Sequence, residues 1–537
     1  MVWRATDPEG NEAEKIRWAV VPYTRGKVLD IGCGPYKAFN HFSGIDDGKQ
    51  WGHPITDITC EGDDLSLFAN ESVDGVFSSH FLEHVEDVEK ALTEWWRVIK
   101  VGGYLSVYLP HADLYPRVGK PGANADHKHD FLPDELISNM EKIGGWDLVE
   151  NETRDTDNGE GEKGNEYSFL QVYRKHSDGE HLRTCDESKP PKTACVVRYG
   201  GFGDMIQASS LLPRLKEQGY HVTFMTTPLG QSIIELDPHV DEWIIQDSNQ
   251  VPNDKLREYW RHWEKKFTKF VNLSESAEGT LLALYDRANH DWPAAVRNKY
   301  MNVNYVEFQH DLAGVPGPYR MKFYPSETEL TWAKMERHKM GDGPVILWVL
   351  AGSAFHKMTP YADQVMARIM VEHPTVKVVL VGDTRCQMLE AGWEKEPRVI
   401  RQSGKWTIRQ TLAFAVNAAD LVVGPETGVL NAVGNEPVPK VIMLSHSSRE
   451  NLTRYWRDTV ALVPNKAKAP CYPCHQLHVG WGTCPREEVT IPMPESIIPS
   501  GEIKEKPVLC VAHLTADMIY SAVNRFLRGQ VKLRASA

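Results

Sequence analysis

The chain has 537 residues, 41% of them apolar and 25% charged, with a net charge of −13. Those proportions belong to an ordinary folded protein and exclude a disordered, collagen-like or disulfide-scaffold chain. At roughly 150 residues per domain, the length predicts three or four domains. The longest apolar runs, such as 376–381 (VKVVLV), are strand-length. None approaches the roughly 20 apolar residues that span a bilayer, so no membrane span is expected. The opening MVWRATDPEGNEAEK carries charges where a secretion signal is apolar, and nine cysteines at irregular spacing fit a reducing compartment. A cytoplasmic location is expected. Residues 1–175 hold 18 Lys/Arg against 32 Asp/Glu, whereas the other 362 hold 42 against 41. The acidic first part argues against bulk nucleic-acid binding there, because phosphate contacts need clustered cations.

Strand and helix signals alternate along the chain. Residues 27–31 (KVLDI) run into Gly32-Cys33-Gly34, and 75–78 predict another strand. A helix is predicted over 88–99, carrying Trp95, Trp96 and Val98, with Gly102-Gly103 as its stop. Strands are predicted at 104–109 and 169–173, with a polar, glycine-rich loop at 155–164. Residues 176–192 end in Lys-Pro-Pro-Lys and read as a linker. A second series begins with strand 194–199, the turn Gly200-Gly201-Phe202-Gly203-Asp204, helix 205–218 and strand 221–226. After a break at Val315-Pro316-Gly317-Pro318, a third series predicts strands 345–350, 376–381, 421–423 and 440–444, with helices over 361–372 and 408–418. Alternation of this kind predicts parallel sheets with helices on both faces, three in number. The expected domains are 1–175, a linker 176–192, 193–320 and 321–537. Within the second, Trp260, Trp263, Phe267 and Phe270 are spaced as one helical face, read as core packing ahead of an aromatic platform for an acceptor or nucleic acid.

A strand ending in Asp30 and followed by Gly32-x-Gly34 lets backbone approach a ligand at the C-terminal edge of a sheet. No third glycine follows, so this is not the dinucleotide pattern. Asp46 comes sixteen residues after Asp30, and an acid ending a second strand can take both hydroxyls of a ribose. Alone, the Gly-x-Gly suits a plain tight turn equally well. Together, VLDIGCGP, GID, SVDGVFSSHFLEHVED and WWRVIKVGGYLSVYLP resemble, in order, the class I S-adenosylmethionine-dependent methyltransferases over about 25–175. The resemblance implies S-adenosylmethionine as cofactor. It places Gly32 and Gly34 at the methionine part, Asp46 at the ribose, and Asp63 or Asp64 near the adenine, with Asp30 also at the cofactor site. Ser79 and His80 open the stretch that lines the cofactor. Methyl transfer mainly needs positioning, with a base helpful for a hydroxyl. His80, His84, His111, His127 and His129 are the candidates, and His111, directly after a strand end, is the favoured base. Residues 126–130 (DHKHD) suit either a metal or a substrate lid; the lid is the reading taken, so no metal is expected there.

In the second series, Asp204 at a helix start would be stabilised as an anion by the helix dipole, though it also suits a simple N-cap. RYGGFGDMIQASSLLPRLKEQGYHVTFMT resembles the opening of the bacterial lipopolysaccharide heptosyltransferases, glycosyltransferases of the GT-B fold with two facing Rossmann-like domains. The resemblance implies that Asp204 is the base activating an acceptor hydroxyl. LAGSAFHKMTP, VVLVGD and ADLVVGPETGVLNAVG continue it in family order. They imply that Ser353 and Lys357 meet the phosphates of a nucleotide-sugar donor, and that Glu426, Thr427 and Gly428 also contact the donor. Lysine as a mobile cation suits a diphosphate leaving group, so no divalent metal is required. Cys471, Cys474 and Cys484 have zinc-like spacing, with His475, His478 and Cys510 available, but a packed thiol cluster is the preferred reading. The function expected is glycosyl transfer from a nucleotide sugar to a hydroxyl acceptor, a glycan first, together with S-adenosylmethionine-dependent methylation. The rivals are a phage-type enzyme modifying DNA or protein, and a chain in which one half only binds.

Overall fold

The computed structural model describes residues 12–34, 37–48, 57–155, 166–177, 182–183, 192–274, 276–284, 287–354, 356–358, 361–477 and 508–529. It divides into two compact units, one formed by 1–191 with 244–267 and the other by 192–243 with 268–537.

The first unit is built on an eight-stranded sheet. Its strands are β1 (Val28–Ile31), β2 (Ser43–Asp46), β3 (Ile58–Thr59), β4 (Val73–Ser79), β5 (Ile99–Pro110), β6 (Trp146–Arg154), β7 (Ser168–Lys175) and β8 (Leu182–Arg183), in the order β3-β2-β1-β4-β5-β7-β6-β8. Strands β1 to β5 pair in parallel, and β7 lies antiparallel between β5 and β6. Strand order reverses between β1 and β4, which opens a crevice at the C-terminal ends of these strands. Leu29, Ile31, Val76, Leu105 and Val107 form the buried sheet face, packed with Trp95 and Trp146. The helix Val88–Val98 starts where the Asp87 side chain accepts from Lys90 N, and Ala91, Leu92, Trp95 and Trp96 make its buried stripe. It stops earlier than Gly102-Gly103: β5 already begins at Ile99 and runs through both glycines. The expected linker is also not wholly a linker, since Leu182 and Arg183 pair in parallel with β6.

Residues 244–267, which begin within the strand Glu242–Ile245, cluster with the first unit rather than with the rest of 193–320. The helix Leu256–Glu264 buries Tyr259 and Trp263, with Tyr259 edge-on to Trp18 at 6.1 Å. Gln250 Nε2 donates to the carbonyls of Val21 (2.6 Å) and Thr24 (3.1 Å), and Gly26 N donates to Asp247 (2.9 Å). Of the aromatic stripe only Trp263 is buried; Trp260, Phe267 and Phe270 are half-buried, and the helix ends at Glu264. Phe270 stands on a strand.

The second unit holds two sheets. One has β9 (Thr193–Val197), β10 (His221–Thr226), β11 (Glu242–Ile245) and β12 (Lys269–Asn272) in the order β11-β10-β9-β12. The other has β13 (Val345–Val349), β14 (Lys377–Val381), β15 (Val399–Arg401), β16 (Leu421–Pro425), β17 (Lys440–Met443) and β18 (Thr459–Leu462), all parallel, in the order β15-β14-β13-β16-β17-β18. The helix predicted over 205–218 breaks into Phe202–Ser209 and Leu212–Glu217, with Pro213 at the start of the second, where its missing N–H is harmless. The helix Phe202–Ser209 crosses the helix Gly428–Val433 of the other sheet. A Cβ on Gly428 would stand 2.8 Å from Gly203 N, and one on Gly203 would stand 2.5 Å from Asn431 Nδ2, so glycine at both positions permits the close crossing. One apolar core, including Met205, Ile206, Val429 and Leu430, runs through both lobes.

Candidate functional site

At the switch point of the first sheet, Gly32 (φ +72°) and Gly34 (φ +51°) turn the chain in the left-handed region. Gly32 N donates to Ile45 O (2.9 Å). Gly32 and Gly62 close on the two sides of the Phe81 ring; a Cβ on either would fall within 2.4 Å of it. Asp46, at the end of β2, accepts from Gly34 N on one oxygen (3.0 Å) and from Gly48 N on the other (2.9 Å). Each oxygen keeps a second acceptor position. Asp30 is buried, accepts from Ala38 N (2.7 Å), and is pushed up to about 7 by burial, against the pull of that N–H, Lys37 and Arg17. It ties the end of β1 to Ala38. Asp63 pairs with Lys90 (3.0 Å), and Asp64 Oδ1 accepts from Ser66 N (3.1 Å). Ser79 closes β4 with a buried hydroxyl that has no hydrogen-bond partner among the described residues.

The histidines differ in what their nitrogens are free to do. His80 has φ +51° and lies 2.9 Å from Ser168 Oγ through Nε2; burial, with Lys15 and neighbouring histidines, holds it well below the usual imidazole range. His111 bridges to Phe131, and its Nδ1 accepts from Asp113 N (3.2 Å). That bond uses the lone pair a neutral imidazole would offer as a base, so the favoured candidate stands engaged. His129 Nε2 sits 3.0 Å from Val85 O. His84 and His127 face each other edge to face at 4.7 Å, beside the buried Glu83.

In the second unit a cavity of about 640 Å³ is lined by Asp204, Ser353, Lys357, Glu426, Thr427 and Gly428. The glycine turn delivers Asp204. Gly200 (φ +131°) lies so close that a Cβ there would stand 2.6 Å from Asp204 Oδ2, and Gly201 N donates to the same oxygen (2.7 Å). Asp204 Oδ1 meets Arg198 Nη2 at 2.8 Å. Arg198 is buried at the end of β9 and shared with Glu278 (3.0 and 2.8 Å); the two carboxylates outweigh burial and raise its affinity for protons. Glu278 lines the same cavity. Lys357 is half-buried, and its backbone O accepts from Gly352 N (2.6 Å), which folds the loop bearing Ser353.

Glu426 is turned inward. Its carboxylate accepts from the backbone N of Ser445 and Ser447 and lies 2.7 Å from His446 Nδ1. Burial would raise its proton affinity, but His446, Lys357 and the Ser445 N–H prevail and lower it to about 2. Both backbone bonds fall on Oε1, while the buried Oε2 faces His446 with no hydrogen bond among the described residues; Thr427 and Gly428 beside it are half-buried. Thr427 Oγ1 accepts from Leu430 N at the head of a helix only six residues long. Arg198, Glu278 and His446 escaped the sequence reading. Arg198 closes an otherwise apolar strand with a charge, which was a usable signal; Glu278 carried none. Cys471 and Cys474 line a separate cavity of about 410 Å³ with His290, His446 and Cys510, and His475 is buried nearby. Cys484 and His478 lie outside the described residues.

Residues 29–107 match the family model described as a methyltransferase domain. Among solved structures, the chain is similar to a family 9 glycosyl transferase from Veillonella parvula DSM 2008, at 15% identity over 63% of this chain and 97% of that one, with a TM-score of 0.42. It is similar to the ADP-heptose lipopolysaccharide heptosyltransferase II of E. coli, at 14% identity over 63% and 99%, with a TM-score of 0.41. It is also similar to an S-adenosylmethionine-dependent methyltransferase from Mesorhizobium loti, at 19% identity over 31% and 99%, with a TM-score of 0.26. No curated protein matches the sequence. The family-model match thus falls on the eight-stranded sheet of the first unit, and the second unit carries two further α/β sheets.

Proposed function

We propose that the chain is a bifunctional transferase: a glycosyltransferase that moves a sugar from a nucleotide donor to a hydroxyl acceptor, most simply a glycan, joined to an S-adenosylmethionine-dependent methyltransferase. The observation that carries the glycosyl half is the 640 Å³ cavity, which gathers the aspartate of one lobe and the lysine, serine and threonine of the other around one space. In this reading Asp204 takes the acceptor's proton, with Arg198 and Gly201 N fixing its carboxylate. Lys357 offsets the charge that gathers on the departing diphosphate, and Ser353 and Thr427 donate hydroxyls to it.

The sheet edge of the first unit fits S-adenosylmethionine, because Asp46 keeps acceptor positions for two ribose hydroxyls and the buried Ser79 hydroxyl lacks a partner. When bound, that cofactor supplies an electrophilic methyl group. The chain's part is to hold it against the glycine turn and to orient the acceptor.

Mass spectrometry of an acceptor pool, after incubation with candidate nucleotide sugars and S-adenosylmethionine, tests both halves by the mass each adds. Asp204→Asn keeps size but removes basicity, so transfer should fall by roughly 10²–10⁴-fold with donor affinity nearly unchanged. Lys357→Ala should weaken donor binding as well as turnover. Near-normal transfer by Asp204→Asn would move the base elsewhere, with Glu278→Gln the next variant to measure.

A further inference from the structure

The most unbalanced polar group of the first unit is Glu83. It lies in the single turn Leu82–His84 just beyond the end of β4, is 1% exposed, and neither carboxylate oxygen has a hydrogen-bond partner among the described residues. A buried carboxylate without partners is strongly disfavoured. Two imidazole nitrogens stand near its Oε1, His80 Nδ1 at 3.7 Å and His127 Nε2 at 3.8 Å, too far for hydrogen bonds. One ligand atom each from Glu83, His84 and His127 lies within 4.8 Å of the others.

We infer that Glu83, His84 and His127 bind one divalent transition-metal ion of the zinc class, with an open coordination position at the sheet edge where a methyl acceptor would lie. The supporting contacts are those of a built site. Backbone N–H groups of Lys128 (2.8 Å) and His129 (3.2 Å) donate to Glu83 O, which pins the His127 loop onto the Glu83 turn. His84 Nδ1 donates to Asp126 O (3.1 Å), which leaves Nε2 as its free lone pair. His127 is nearly buried, with its ring beside Tyr115 at 5.4 Å. Two imidazoles with one carboxylate make a borderline donor set that suits zinc and its neighbours, whereas calcium and magnesium require oxygen ligands throughout. Bonds of about 2.1 Å would draw the three side chains closer together, and two loops with few strand constraints can follow. Three protein ligands leave a position for an acceptor oxygen, which the ion would polarise. Only this last role rests on the methyl-transfer reading; the ion site does not.

The test uses untagged full-length protein stripped with chelator and titrated with Co²⁺, then with Zn²⁺ in competition. The expected result is one equivalent of Co²⁺ with ligand-field bands of nitrogen and oxygen donors and no thiolate charge-transfer band, displaced by Zn²⁺. Glu83→Gln and His127→Gln should each weaken binding by more than about tenfold, with circular dichroism and melting checking the fold. His84→Gln, on the more open side of the cluster, serves if either buried variant fails to fold. No bound ion, a thiolate spectrum alone, or unchanged affinity in the folded variants would overturn the site. S-adenosylhomocysteine affinity, measured on the same samples, separates the two ideas: cofactor bound without metal sinks the ion site alone, and metal bound without cofactor sinks the methyl-transfer reading alone.

Discussion

Asp46 carries one backbone N–H on each oxygen and keeps one acceptor position on each. Asp46→Ala should therefore both strand partners of a ribose and loosen the Gly34 turn, and weaken S-adenosylmethionine by about 1–3 kcal/mol. Calorimetry that finds unchanged affinity would remove Asp46 from the cofactor site. Asp30 answers to pH instead. Burial moves its carboxyl from 3.8 to about 7, so between those values the folded state holds a proton that the unfolded state has lost. Its contribution is complete below about pH 4 and disappears as pH rises through about 7. Asp30→Asn stays neutral throughout and should flatten that part of the stability profile. Urea midpoints from pH 4 to pH 8 give the comparison, and equal slopes for the two proteins would refute the assignment.

Elements were legible where the physics is local. Apolar runs ending in glycine marked β1 and β9 with their turns, and the tryptophan-bearing stretch marked the helix Val88–Val98. Departures have local causes too: Pro213 begins a new helix, and β5 carries its two glycines where its register against β4 shifts, between Ile99 and Tyr104. The place of β7 between β5 and β6 depends on pairings far apart in sequence, which no periodicity reveals. The same holds for Arg198 and Glu278, which bond across 80 residues. A motif fixes what stands beside Asp204 in the chain, and only the fold fixes what stands beside it in space. The helix crossing at Gly203 and Gly428 belongs to this scale. Gly428→Ala would force Cβ to within 2.8 Å of Gly203 N, and overpacking of this kind costs about 1–3 kcal/mol. Transfer rate and donor affinity should both fall. Gly279→Ala, whose added Cβ meets nothing within 4 Å, is the control on a neighbouring element. Equal behaviour of the two variants in donor titrations would show that the crossing does not shape the cavity.

On the scale of the whole molecule, the first unit does not end at the linker read at 176–192. The first unit takes Tyr259, Trp263 and Gln250 from beyond residue 243. A fragment of residues 1–191 should lose the packing of Trp18 and the hydrogen bonds on Val21 and Thr24, and melt several degrees below the corresponding transition of the full chain. Calorimetry of fragment and full chain, with S-adenosylhomocysteine to mark the first unit's transition, makes the comparison. An identical melting temperature would show that residues 244–267 add nothing to the first unit.

That excursion of the chain also sets a schedule for biosynthesis. As the protein leaves the ribosome, its first unit is still short of its last helix when residue 191 emerges, because the helix bearing Tyr259 has not been made. Synthesis must pass residue 267, through the opening strands of the next unit, before Trp18 meets its partner. The N-terminal unit therefore waits, with an apolar patch uncovered, while its successor starts to fold. A gene truncated or recombined near residue 192 would encode a first unit that never receives its cover.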